Sequence, residues 1–145
     1  MQHGVGRATH GDVEGHGVLE GRAGQDVRRF QVVLDHLTSD VYQRLNSLGE
    51  ILRHKLRMVF TEMEVSAQVT GIASFFGIHF TTEAITDYRS VVRGNREMRK
   101  ALFMGLLNEG VLLQESCAGS LNILTTESDV DVLVDATRKA VQRIR

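Results

Sequence analysis

Proline is absent from this 145-residue chain, as is tryptophan, so no motif that depends on either can be present. A single cysteine excludes an internal disulfide and fits a reducing compartment. No apolar run is long enough to span a bilayer, and no charged start leads into the apolar core of a signal peptide. Charge of one sign is also missing. Seventeen basic and eighteen acidic residues leave a net charge of −1, so no overall basic field would hold nucleic acid or an anionic membrane. These absences lead to the expectation of a cytoplasmic protein with no membrane and no nucleic-acid partner. An apolar content of 42% over this length supports one modest core.

What is present is organised helical and strand periodicity from residue 34 onward. After Thr38, Ser39 and Asp40, Val41, Leu45, Leu48, Leu52, Leu56, Val59, Phe60 and Met63 trace an amphipathic helix. Arg44, Glu50, Arg53, Lys55 and Arg57 are expected mostly on its wet side. Ile72, Ser74, Phe76, Ile78 and Phe80 alternate with Ala73, Phe75, Gly77 and His79, a strand with one apolar face. Thr81 to Gly94 is polar and expected to be loop, with a turn near Ile85. Asn95 is a candidate N-cap for a helix carrying Met98, Ala101, Leu102, Gly105 and Leu106, with Phe103 and Leu107 widening the stripe. Gly110 supplies its left-handed stop.

Val111–Gln114 and Leu121–Thr125 read as two short strands around the loop Glu115-Ser116-Cys117-Ala118-Gly119. Ser128 opens a last helix, whose Val130, Leu133, Val134, Thr137, Val141 and Ile144 share one face. Acids at its start and arginines near its end complement the helix dipole. The simplest architecture is α+β, a small mixed or antiparallel sheet with helices packed on one face.

Residues 1–33 stand apart. They hold seven of the fourteen glycines and three of the six histidines, with no regular period before Phe30, and are expected to be irregular or disordered. Gly4-Val5-Gly6 lacks the third glycine and the preceding strand of a dinucleotide fingerprint. His3, His10 and His16, with Asp12 and Glu14, fit no standard zinc spacing, so no metal site is expected.

From about Leu34 to Arg145 the chain resembles the C-terminal small domain of the class III pyridoxal-phosphate-dependent aminotransferases, in a style similar to the glutamate semialdehyde aminomutases. The phrases that carry the resemblance are Leu34-Asp35-His36-Leu37, Arg44-Leu45-Asn46-Ser47-Leu48-Gly49 and Phe75-Phe76-Gly77-Ile78-His79-Phe80-Thr81. Leu107-Asn108-Glu109-Gly110-Val111 and Thr126-Glu127-Ser128-Asp129-Val130-Asp131 follow in the same order and spacing.

The resemblance implies amino-group transfer through the pyridoxal and pyridoxamine forms of the cofactor, in a homodimeric parent. A lysine of the large domain, which this chain lacks, holds pyridoxal 5'-phosphate there. Lys55, Lys100 and Lys139 all lie beside other cations on helices and read as solvated surface lysines. No catalytic, cofactor-binding or metal residue is therefore assigned, and the chain alone is expected to be inactive.

By the same resemblance, the loop at Glu115 and Ser116 approaches the substrate mouth, and these two are the candidate substrate-proximal residues. Related aminomutases carry Pro-Ser in that loop and often a histidine where Thr125 stands, so aminomutase and transaminase remain alternatives. Cys117 has no neighbouring base to activate it. His79 falls on the second face of its strand. Arg89, Arg93, Arg96, Arg99 and Lys100, interleaved with Glu83, Asp87 and Glu97, read as a solvated face.

Two alternatives to the fragment reading are a stand-alone binding or dimerisation module on the same small domain and an independent enzyme on a ferredoxin-like scaffold. In the family, a Gly-Thr pair and an Asn-Pro precede the equivalent of Leu34, whereas this chain has Val27-Arg28-Arg29-Phe30-Gln31. Residues 1–33 are thus expected to be a misread or out-of-frame translation. Translating the upstream DNA in the other two frames should reveal a Gly-Thr…Asn-Pro peptide; its absence from every frame would dispose of that expectation.

Overall fold

The computed structural model describes Val27, Gln31, Val32, Leu34 and residues 37–144. The chain divides into two units, Met1–Thr38 and Ser39–Arg145. In the first, Val27, Gln31, Val32 and Leu34 are helical and exposed. The rest of the segment expected to be irregular, with Gly4-Val5-Gly6 and the histidine group at 3, 10 and 16, lies outside the described residues.

The second unit runs α1 (Ser39–Glu62), β1 (Gln68–Thr70), β2 (Phe75–His79), α2 (Tyr88–Val92), α3 (Arg96–Asn108), β3 (Ala118–Ser120) and α4 (Glu127–Ile144). The strands form one antiparallel sheet in the order β1-β2-β3. Its register pairs Val69 with Ile78 and Phe76 with Gly119. The architecture is the α+β layer expected from the sequence. Phe76 and Ile78 on β2, and Phe80 beyond it, are buried with Leu52, Leu56, Val59 and Phe60 of α1. Leu102 and Leu106 of α3 and Val130, Ala140 and Val141 of α4 complete that core. Phe60 and Phe80 meet edge to face, with ring centroids 5.9 Å apart.

Arg53 departs from its expected place. It stands four residues after Gly49 and three before Leu56, and its side chain is 1% exposed. One guanidinium nitrogen donates to the carbonyls of Ala73 and Phe75, each at 2.7 Å, and the other donates to Glu50 at 2.8 Å. One turn later Arg57 donates to the Val69 carbonyl. A Cβ on Gly49 would lie 1.9 Å from the Ala73 oxygen, so only glycine leaves room for this approach. The fixed turn has Ala73 in left-handed backbone (φ 51) and throws Ile72 out to 77% exposure, away from the core face assigned to it by alternation.

The two strands expected around the Glu115 loop are not formed. The Val111 amide donates to Leu106 O and the Gly110 amide to Leu107 O, a closure in which Gly110 takes φ 80. Val111 is thus used to stop α3 and is not free to start a ladder. The third strand falls instead on Ala118-Gly119-Ser120, residues of low strand propensity. A Cβ on Gly119 would come within 2.8 Å of the Phe76 ring, so packing against that ring selects the small residue. β1 and the five-residue α2 are further elements that periodicity did not announce. α2 is opened by a reciprocal cap between Asp87 and Ser90.

The last helix starts one residue earlier than expected. Thr126 and Asp129 each accept the other's backbone amide, which makes Thr126 the cap and Glu127, not Ser128, the first helical residue. Contacts at the far end of the layer are ionic. Glu109, just past α3, meets Arg143 at 2.6 Å and Lys139 at 3.4 Å on α4, and these bonds hold its carboxyl below the usual range. Arg44 of α1 donates to the carbonyls of Ile123 and Thr125 at 2.9 and 2.7 Å, which pins the segment expected as the second strand.

Cys117 also takes left-handed backbone (φ 56) and is fully buried, its thiol donating to the Arg99 carbonyl at 3.3 Å. Burial pushes this thiol up to about 11, against a smaller opposing effect of the Arg99 charge.

Replacing Arg53 with Met should lower stability by about 2–3 kcal/mol, because the Ala73 and Phe75 carbonyls lose their donors; urea unfolding measures this. A loss below about 0.5 kcal/mol would deny Arg53 its structural role. Cys117 in the native chain should react with a disulfide probe at pH 8 at least about a hundredfold more slowly than after unfolding in urea, since only about one thiol in a thousand is ionised in the fold against about one in ten in the open chain. A native rate near that of the unfolded chain would contradict its burial.

Candidate functional site

The loop from Gln114 to Ala118 is built by backbone bonds before any side chain is considered. The Cys117 amide donates to Gln114 O at 2.8 Å, and the Gln114 amide donates to Ala118 O at 3.2 Å. The Cys117 carbonyl accepts from Ile78 N, extending the β2–β3 pairing into the loop. With Cys117 anchored inward on α3, Glu115 and Ser116 are directed outward and both are exposed.

Glu115 and Ser116 share one side of a cleft of about 450 Å³. Tyr88, Val91 and Val92 of α2 form a second wall, and Arg96 and Arg99 of α3 line it as well. A smaller recess of about 140 Å³ joins it through Arg96, Arg99 and Glu115, and adds Glu97 and Lys100. The two candidate residues are therefore brought together, beside arginines that the sequence pattern placed on a solvated face. The α2 wall went unread because Thr81 to Gly94 has no helical period long enough to reveal a five-residue helix.

The interleaved acids behave differently from one another. Glu83 pairs with Arg93 at 3.2 Å, and Asp87 caps α2 by accepting the Ser90 amide. Neither lines the cleft. Behind it, His79 shares a 2.9 Å hydrogen bond with Thr70 on the neighbouring strand. Partial burial, and secondarily the Arg99 charge, hold its imidazole below the ordinary histidine range.

The lysines do not fit a covalently held pyridoxal phosphate. Lys55 is ion-paired with Asp131, and Lys139 with Glu109. Lys100 is exposed at the rim of the smaller recess. A Schiff-base lysine must be partly neutral, which takes a desolvated pocket, and none of these three has one. Among the described residues, no group of three or more histidine, cysteine, aspartate or glutamate side chains could hold a metal ion, and no helix is long and apolar enough to cross a membrane. Cys117, buried and held as a thiol, offers no nucleophile to the cleft.

A separate groove of about 600 Å³ runs along the other side of the loop. It is bounded by Leu112, Leu113 and Leu121, with Phe76 at its floor and Leu133 of α4 at its edge. Leu112 is 74% exposed there.

No protein-family model matches the chain. It is 34% identical over 91 residues to glutamate-1-semialdehyde 2,1-aminomutase of Laribacter hongkongensis (strain HLHK9), a match covering 60% of this chain and 21% of that protein. Glutamate-1-semialdehyde 2,1-aminomutase 2 of Staphylococcus saprophyticus is 27% identical over 139 residues, 94% of this chain and 32% of its own length. An omega-transaminase from Sphaerobacter thermophilus superposes with a TM-score of 0.70 at 31% identity, over 73% of this chain and 25% of that one. The chain thus spans between a fifth and a third of the length of the curated relatives it matches. By sequence and by fold, the chain is a homologue of part of the glutamate-1-semialdehyde 2,1-aminomutases and class III transaminases.

Proposed function

We propose that residues 34–145 are the small C-terminal domain of a class III pyridoxal-phosphate-dependent aminotransferase or aminomutase, and that the chain is inactive by itself. The observation that carries this reading is the asymmetry of coverage. Relatives match 60 to 94% of this chain while it spans only 21 to 32% of them, and its three lysines are all surface groups. The parent would transfer an amino group with pyridoxal phosphate, a chemistry residing in the large part of the relatives that the match does not cover. A cytoplasmic homodimer is the proposed form of that parent.

Glu115 and Ser116 are proposed to face the substrate side of the assembled enzyme. Their outward projection from an internally anchored loop supports this. The apolar groove at Leu112, Leu113 and Leu121 is the proposed seat of the large domain, since an exposed apolar surface of this kind commonly marks an interaction site. The Staphylococcus match covers 94% of the chain and so takes in most of residues 1–33. This supports a segment continuous with the domain over one translated out of frame.

Grafting residues 34–145 in place of the segment they match in the Staphylococcus aminomutase 2 tests the reading. The graft should keep the visible absorbance of lysine-bound cofactor and measurable amino transfer, while the 145-residue chain mixed with pyridoxal phosphate should show neither. A folded, cofactor-loaded graft with no amino transfer would overturn it. So would turnover by the chain alone. A chain that unfolds cooperatively as an isolated dimer would favour the stand-alone dimerisation module instead.

A further inference from the structure

The two edges of the sheet are finished differently. On β1 the Val69 carbonyl accepts from Arg57, so a cation covers that edge. On β3, bonds from Ile78 N to the Cys117 carbonyl and from Leu121 N to the Ser74 carbonyl fix which residues face β2. By alternation, Ala118 and Ser120 turn their amides and carbonyls away from β2. Residues 112–114 lie along this outer edge in strand register. The Gln114 amide donates to Ala118 O at 3.2 Å, and a Leu113 methyl lies 3.5 Å from where a Gly119 Cβ would stand. The next pair, Leu112 and Ser120, exchanges no backbone bond, and Leu112 is 74% exposed. Its neighbour Val111 is claimed by the helix stop, where its amide bonds Leu106 O behind Gly110 at φ 80. A fourth strand is thus in place except for its first pair of bonds.

We propose that residues 112–114 form a strap that closes on β3 when a neighbouring domain covers the apolar groove, and that closing fixes the loop of Glu115 and Ser116. Leu113 and Gln114 already stand in register, so only Leu112 has to move. Its amide then donates to the Ser120 carbonyl, and its carbonyl accepts the Ser120 amide. Solvent reaches this edge through the groove of about 600 Å³ that the strap, β3 and Leu133 of α4 bound. Apolar side chains seated there exclude it, and main-chain bonds strengthen where water is shut out. The far end of the strap runs into the loop. The Gln114 carbonyl accepts the Cys117 amide at 2.8 Å, and its side-chain oxygen accepts the Ser116 hydroxyl at 3.5 Å. Gln114 belongs to both elements, so a ladder completed on one side of it holds the turn on the other. Groove and loop are two sites biased by one two-state element. This rests on the proposed docking of the domain on a larger one, and adds that docking orders the residues on the substrate side.

Hydrogen exchange of the Leu112 and Ser120 amides tests the strap, by NMR in the 145-residue chain and by mass spectrometry in the cofactor-loaded graft of residues 34–145. Both should exchange within about tenfold of an open peptide in the chain, and at least about a hundredfold more slowly in the graft. Leu112→Cys with Ser120→Cys supplies a lock, since residues paired across an antiparallel ladder lie within disulfide reach. Oxidised glutathione should close that lock in the chain and slow exchange at Glu115 and Ser116 by about tenfold, and reduction should restore it. Ser120→Pro removes the edge donor without touching the bonds to β2, and should leave the loop of the graft exchanging as fast as in the isolated chain. Amides already protected in the isolated chain overturn the strap. So does a lock that never closes, or a locked chain whose loop exchanges unchanged. A graft that transfers amino groups while Leu112 and Ser120 exchange as in the chain overturns the strap and leaves the proposed function standing. If the graft takes up no cofactor, the locked chain still decides the strap.

Discussion

The fold depends on one buried cation. Arg53 reaches from the middle of α1 into the turn between β1 and β2, and holds the carbonyls of Ala73 and Phe75 at 2.7 Å. Those two carbonyls take their donor from Arg53, and leaving both without it would cost about 2–3 kcal/mol in all. Glu50, itself 71% exposed, balances the charge from the solvent side. Gly49 makes the approach possible by leaving the Ala73 oxygen free of any Cβ. Helix and hairpin are thus fixed in register by polar geometry before apolar packing is counted. The apolar core that follows, from Leu52 and Phe60 to Ile78 and Phe80, fills the space this contact defines.

From that fixed hairpin the remaining features propagate by proximity. β2 carries Phe76 into the core, the Phe76 ring covers Gly119, and Gly119 draws β3 onto the sheet edge. The loop before β3 must then turn at Cys117, whose thiol anchors to the Arg99 carbonyl while Glu115 and Ser116 stay outside. This sequence of contacts is what brings the loop and the two helices before it to a single cleft. On the opposite flank, Arg44, Glu109 and Arg138 join α4 to the rest: Arg44 through loop carbonyls, Glu109 through Arg143, and Arg138 through Glu62 at 2.5 Å. The Arg138–Glu62 pair is solvent-exposed and adds little to stability, so it acts chiefly to orient the helix.

The proposed role as the small domain of a larger protein agrees with how the interior and the surface differ. Its interior is satisfied: no buried side-chain nitrogen or oxygen among the described residues lacks a hydrogen-bond partner. Its surface is less complete, with Leu112, Leu124 and Tyr88 each at least 74% exposed. A satisfied interior beside exposed apolar side chains supports the proposed docking of this domain on a larger one.

By itself the sequence determined the α+β class, the three long helices and the family resemblance. Helical period over many residues is a strong local signal, and α1, α3 and α4 each bury an apolar stripe that the spacing announces. It also showed Gly110 as the stop of α3, since a left-handed residue there favours glycine. Only tertiary structure decided where the short strands lie. Ala118-Gly119-Ser120 has no intrinsic preference for a strand and becomes one because the Phe76 ring covers it, whereas Val111 is diverted to close a helix. Arg53 carried a faint mark in its position four residues after Gly49, but nothing local shows that a cation there finds two carbonyls. The cleft beside Glu115 is likewise decided in three dimensions. Whether a charge in a sequence is solvated or unpartnered depends on which neighbours fold against it, and Glu83 and Asp87 were drawn away to other roles.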